Sequence, residues 1–298
     1  MRKILAALLI CANFAICGAA LAAHGHYVNG VEGLKAASLP PEGVYWRMYN
    51  VYYTAGQVRD NHGDKAPGRN TADVYALVNR FIWSTDVEIL GGNLIMDAVV
   101  PLTNTNLHMG SGAMNSQEFG VGDILIEPFL LGWHGDWYDA AFGLGVYMPT
   151  GDYSKHEAAS PGKGFWTGMA SLGGTVYFDD EKTWSASLLA RYEVHSKQHS
   201  TDVNPGDDFH FEWGIGKNFD GVLDVGVAGY CQWQVSKDSG GEAAYRQTNR
   251  EQAYAVGPEI GYTIVPWGLA VTVRSLWEFE NKNTTQGNIT SLVLTKAF

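Results

Sequence analysis

The chain has 298 residues, of which 31 are acidic and 20 basic, for a formal net charge of −11. That balance excludes a nucleic-acid partner, which would call for a basic face. Charged residues make up only 17% while aromatics reach 12% and glycine numbers 36, an unusually low charge for a soluble domain, which averages about 25%.

The N-terminus reads as an export signal. Arg2 and Lys3 precede an apolar run over 4–16, and Ala20-Leu21-Ala22 offers small residues where a signal peptidase cuts. The run spans about 13 residues, short of the roughly 20 that a spanning helix needs, so 1–22 is expected to be cleaved. Cys11 and Cys17 each follow an isoleucine, which argues against a lipoprotein signal. Cleavage leaves Cys231 as the single cysteine, so neither a disulfide nor a cysteine zinc site is available. Losing Arg2 and Lys3 reduces the basic count from 20 to 18 against 31 acids, and the net charge moves to −13. No later stretch is long and apolar enough for a membrane helix, because Asp97, Pro101, Glu127 and Pro128 interrupt the candidates.

Residues 23–42 carry no strand pattern. Val31 to Ala37 suits one or two helical turns, stopped by Pro40-Pro41, and the segment is expected to be a periplasmic tether or a plug of the lumen, with the tether favoured.

From residue 43 onward the dominant signal is period-two alternation. Over 183–195 one face carries Trp184, Ala186, Leu188, Ala190, Tyr192 and Val194, and the other carries Thr183, Ser185, Ser187, Leu189, Arg191, Glu193 and His195. A pleated strand puts these on opposite sides, one greasy and one wet. The pattern recurs over 209–216, 223–234 and 269–280, and in weaker form over 44–54, 72–84, 93–103, 119–132, 137–149, 165–178, 253–264 and 288–298. The second of these is untidy, because Asn79 and Arg80 cannot both face one side. The total is about twelve strands, an even number as bacterial single-chain membrane barrels require.

Connection lengths point the same way. Short joins fall at 86–91, 133–136, 179–182, 218–221 and 265–266, and long polar ones at 56–71, 104–118, 150–164, 196–207 and 236–250, in strict alternation. The last, 281–287, is intermediate. Short periplasmic turns and long extracellular loops produce this asymmetry, with both termini in the periplasm. Trp83, Trp133, Trp137, Trp184 and Trp267 lie beside the short joins and Tyr52, Trp166, Trp233 and Trp277 nearer the long ones, as two interfacial girdles would.

If the greasy faces meet lipid, the wet faces line the lumen. They bring together Arg47, Arg191 and Arg274 with Asp97, Asp123, Glu127, Asp139, Glu193, Glu212, Asp224, Glu259 and Glu278. Mixed signs suit cross-strand pairing that holds the barrel's shape, and equally a polar constriction that selects permeants. His195, His199 and His210 flank one loop without a metal-binding spacing, so no metal or other cofactor is expected. No GxSxG occurs, and Ser185 and His195 are about 30 Å apart along one strand, so a catalytic pair is not supported. Phe298 ends an amphipathic strand and resembles the signal read by barrel assembly machinery, with Lys296 departing from it.

The stretches Leu39-Pro40-Pro41-Glu42-Gly43-Val44-Tyr45-Trp46, Asn79-Arg80-Phe81-Ile82-Trp83, Phe119-Gly120-Val121-Gly122-Asp123 and Pro205-Gly206-Asp207-Asp208-Phe209 resemble the family named after the MetA pathway of phenol degradation. Glu127-Pro128, Gly132-Trp133-His134, Pro149-Thr150-Gly151, Leu189-Ala190-Arg191-Tyr192-Glu193 and Gly257-Pro258-Glu259 add to the match, which covers almost the whole mature chain. The resemblance implies an exported outer-membrane barrel that transports or senses aromatic and other hydrophobic compounds, and it brings no catalytic residues. The expected function is an outer-membrane channel for small hydrophobic or aromatic solutes. A lipase-like enzyme and a structural barrel without transport are the alternatives.

Overall fold

The computed structural model describes residues 25–110, 114–241 and 249–298. The 1–22 export segment lies outside the described residues. Thirteen strands run in chain order: β1 (Gly43–Val58), β2 (Thr71–Ile89), β3 (Gly92–Met109), β4 (Met114–Val121), β5 (Ile124–His134), β6 (Tyr138–Met148) and β7 (Thr167–Tyr177), followed by β8 (Trp184–His195), β9 (Asp208–Phe219), β10 (Leu223–Gln234), β11 (Gln252–Ile264), β12 (Leu269–Lys282) and β13 (Thr285–Ala297). Apart from β4 and β5, which do not pair with each other, each pairs antiparallel with its sequence neighbours, β1 also pairs with β13, and the sheet closes. β4 and β5 both pair with β3, end to end, so together they fill one place and the wall is twelve strands around. Among the described residues no helix is long and apolar enough to cross a membrane.

The alternation sorts side chains as the sequence implies. Leu172, Leu188, Ile215, Val227 and Ile260 lie on the outside with 45–65% of their surface exposed. Glu193, Glu212, His210 and Asp208 lie inside at 0–1%. This inverts a water-soluble protein, which would aggregate through such an outer surface. Hydrocarbon around the barrel removes that objection, and closure satisfies the backbone groups that lipid cannot. Exposed Trp83, Trp137, Phe178, Trp184 and Trp267 ring the short-turn end, and Tyr52, Tyr75, Trp166, Trp277 and Phe279 lie toward the long-loop end.

Several expectations need correcting. The strand read as continuous over 119–132 is broken at Gly122-Asp123, where Asp123 turns inward to bond His26. The loop read over 104–118 is mostly a hairpin, because β3 continues to Met109 and β4 starts at Met114. The loop read over 281–287 shrinks to two residues between β12 and β13. In the last two cases the ladder runs on beyond the apolar band, where polar side chains such as Asn104 and Asn106 carry no alternation signal. The short join read over 86–91 shrinks to two residues, because β2 runs on to Ile89. Ile89 pairs with Gly92, leaving Leu90 and Gly91 at φ 53° and 75°, the left-handed pair that a two-residue hairpin demands.

Candidate functional site: the barrel interior

Residues 25–42 run through the interior and bond to opposite walls. Glu212 on β9 is their main anchor. Its carboxylate accepts from the Tyr27 hydroxyl at 2.5 Å, the Gly30 N–H at 2.8 Å and the Glu32 N–H at 2.9 Å, and from Arg191 at 2.7 Å. The Arg191 guanidinium also lies 3.9 Å from the centre of the Tyr27 ring. Glu32 reaches the other wall, where Arg47, Arg80 and the Tyr49 hydroxyl donate to it. Burial pushes the Glu32 carboxyl up, but Arg47, Arg80 and Arg191 together outweigh it and hold the group below its ordinary value.

Further along, Arg274 donates to the Gly30 carbonyl and to Glu259, which accepts from the Leu34 N–H. Lys35 pairs with Asp224 at 3.0 Å. The Ala37 N–H donates to Ser187, Ser38 bonds Thr175, and Ser84 donates to the Pro40 carbonyl. A side chain at Gly33 would collide with Glu259 and Arg274, so the backbone there needs glycine for close approach. At the other end of the segment His26 packs 4.8 Å from the Tyr147 ring, bonds Asp123 at 2.8 Å and sits 2.6 Å from the Thr167 hydroxyl. Burial lowers the His26 pKa against the opposing pull of Asp123.

Of the residues singled out from sequence, Arg47, Asp123, Arg191, Glu193, Glu212, Glu259 and Arg274 touch the segment directly. Asp97 and Glu127 reach it through Arg80, which they hold at 2.5 Å and 3.0 Å. Glu278 stands apart, accepting from Tyr53, Tyr230 and the Gly287 N–H. Asp139 bonds Tyr177 and His134 nearer the short-turn end.

A family model described as "Putative MetA-pathway of phenol degradation" matches residues 55–293, four-fifths of the chain. The chain belongs to that family. Among solved structures it is similar to the COG4313 outer membrane channel from Pseudomonas putida F1, with a TM-score of 0.80 at 12% identity over 90% of this chain and all of that one. It is also similar to the translocator domain of autotransporter NalP from Neisseria meningitidis, with a TM-score of 0.50 at 9% identity over 87% and 90% of the two chains. At these identities both show the fold alone. No curated protein matches. The closed twelve-stranded wall is the architecture that the COG4313 outer membrane channel also has.

Sequence reasoning on this family member missed Arg80, which bonds Asp97, Glu127 and Glu32 together. The signal was present: Tyr75, Phe81 and Trp83 are the exposed set of β2, so Arg80 falls in phase with buried Ala76 and Ile82. Asn79 then faces outward and accepts from the Trp46 indole at 3.0 Å, which satisfies its amide beside lipid. Ser185 has no histidine partner. A hydroxyl–imidazole–carboxylate line does form from Thr167, His26 and Asp123, but Thr167 is wholly buried and shared with His195 at 2.7 Å. A hydroxyl held between two imidazoles, with no exposed surface, is not presented to a substrate.

Proposed function

We propose that the protein is an outer-membrane channel for small hydrophobic or aromatic molecules, whose lumen is lined by Arg47, Asp97, Asp123, Glu127, Arg191, Glu193, Glu212, Glu259, Arg274 and Glu278 and plugged by residues 25–42. The observation that carries this reading is that the interior is filled by the chain's own N-terminal segment, held by ion pairs and backbone N–H groups on wall carboxylates. Such contacts are reversible, and a segment attached at one end can leave. A twelve-stranded barrel is wider than the eight-stranded kind whose side chains fill it, so its departure opens a passage, narrower than that of a porin. The COG4313 protein is itself described as a channel, and the family name points to aromatic compounds. Residues 1–22 serve as the export signal, and Phe298, with 78% of its surface exposed, is the recognition end for the assembly machinery.

The test compares the full chain with a variant lacking residues 25–40, each folded into planar bilayers and liposomes. The expected result is larger single-channel steps and faster uptake of an aromatic solute for the shortened chain. If both stay silent, the barrel is structural and the channel reading fails.

A further inference from the structure

Three groups from neighbouring strands converge inside the barrel beside Gly25. Glu193 and His195 end β8, Asp208 opens β9, and one ligand atom from each lies within 4.8 Å of the others. His195 Nε2 stands 3.3 Å from Asp208 Oδ2. The three side chains are 0–1% exposed. We propose that Glu193, His195 and Asp208 form a binding site for a single divalent transition-metal ion of the zinc class.

The ligand chemistry selects the ion class. One imidazole nitrogen with two carboxylate oxygens suits zinc and its neighbours better than magnesium or calcium, which take oxygen alone. Donors about 2.1 Å from a tetrahedral zinc ion lie about 3.4 Å apart, so a pair at the 4.8 Å limit closes by about 1.4 Å on binding. Small side-chain rotations cover that.

A second observation comes from unpartnered groups. Among the described residues, Asp208 Oδ1 is buried with no hydrogen-bond partner, and so are both ring nitrogens of His210, whose side chain is 1% exposed. His210 Nε2 stands 3.7 Å from Glu193 Oε2, facing the cluster as a fourth donor would. A buried polar atom without a partner carries its full desolvation penalty, and an ion taken by Asp208 and one ring nitrogen of His210 relieves it at both. Glu193 is arranged for both duties, since Oε1 accepts from the Tyr27 N–H at 3.1 Å while Oε2 faces His210. The outer contacts fit as well. His195 Nδ1 sits 2.7 Å from the Thr167 hydroxyl, which continues to His26 and Asp123, so the ring is oriented through the nitrogen that does not bind.

Charge points the same way. Glu193, Asp208, Glu251 and Asp123 all act on the Lys163 ammonium, four carboxylates on one cation. The Lys163 Nζ also donates to the Gly25 carbonyl beside the cluster. A divalent ion offsets that surplus.

The experiment uses the full-length folded protein in detergent, stripped with a chelator, dialysed and titrated with zinc or cobalt against a competing chelator. One equivalent is expected to bind, and cobalt to show visible bands of a nitrogen–oxygen site. Asp208→Asn and His195→Gln are each expected to weaken binding about 100-fold or more, while His199→Ala, in the exposed loop, leaves it unchanged. The gel shift on boiling confirms that each variant is folded. Failure of the wild-type protein to retain an equivalent, or retention undiminished in both ligand variants, overturns the site. If neither variant folds, a cobalt spectrum of the wild type without a nitrogen–oxygen signature does the same.

Discussion

Glu212 is the residue on which the docking of the N-terminal segment turns. It accepts two backbone N–H groups, a tyrosine hydroxyl and an arginine while fully buried. Breaking a buried pair costs about 3–5 kcal/mol, because the surviving charge keeps its desolvation penalty without its partner. In Glu212→Gln the amide keeps the volume and loses the charge. Docking is expected to weaken by more than tenfold, since each tenfold needs only about 1.4 kcal/mol. Labelling of Ser38→Cys by a membrane-impermeant thiol reagent, in a Cys231→Ser background, reads this directly; an unchanged rate would remove Glu212 from the role. The same assay tests acid. His26 has a docked pKa below its ordinary 6.5, so the docked state binds fewer protons and docking keeps its full strength above that value. As pH falls through 6.5 toward the lowered value that contribution is lost. Glu32, held below its ordinary 4.5, adds a second loss further down. Divided by the rate of a free-thiol control, whose thiolate fraction itself falls in acid, labelling is therefore expected to speed up below pH 6.5 as the His26 contribution is lost and again below pH 4.5 with Glu32; a flat corrected profile would contradict both assignments.

At the level of the strands, what was legible and what was not divides at the membrane boundary. Inside it, lipid demands an apolar residue at every second position, so Leu188, Tyr192 and Val194 on β8 announce the strand and its outward face. Beyond it water accepts either face, and the β3–β4 hairpin through Asn106 and Gln117 looked like loop. Asp97 and Glu127 were readable as inward, but not that Arg80 joins them, because adjacent Asn79 concealed the phase of β2. The course of residues 25–42 had no periodicity to reveal it, since each contact is a single backbone or side-chain bond to a different strand. The β2–β3 turn permits a test at this scale. Nothing lies within 4 Å of a side chain added at Gly91, so Gly91→Val probes backbone conformation alone. At φ 75° it is expected to cost about 1–2 kcal/mol. Leu90, at φ 53° and 87% exposed, carries the opposite strain, and Leu90→Asn is expected to raise stability by a few tenths of a kcal/mol. The guanidinium midpoints of refolded barrels, one falling and one rising, check the pair.

The whole molecule is an acidic barrel whose charges are unevenly divided between wall and segment. The four arginines on the wall, Arg47, Arg80, Arg191 and Arg274, face Asp97, Glu127, Glu193, Asp208, Glu212, Glu259 and Glu278, an excess of carboxylates. Over 25–40 the segment contributes Glu32 and Lys35, which cancel, with Glu42 exposed beyond them, but it supplies N–H groups to Glu212 and Glu259 and so neutralises part of their field. With the segment absent, those N–H groups go and the interior potential becomes more negative. A narrow pore with low-dielectric walls concentrates such a field on whatever passes. The barrel lacking residues 25–40 is therefore expected to select cations, which a reversal potential in a potassium chloride gradient measures. Glu212→Gln and Glu259→Gln, made together in that shortened chain, are expected to reduce the preference toward neutrality, and higher salt to diminish it by screening. An anion preference would mean that the wall arginines, rather than the carboxylates, face the water-filled path.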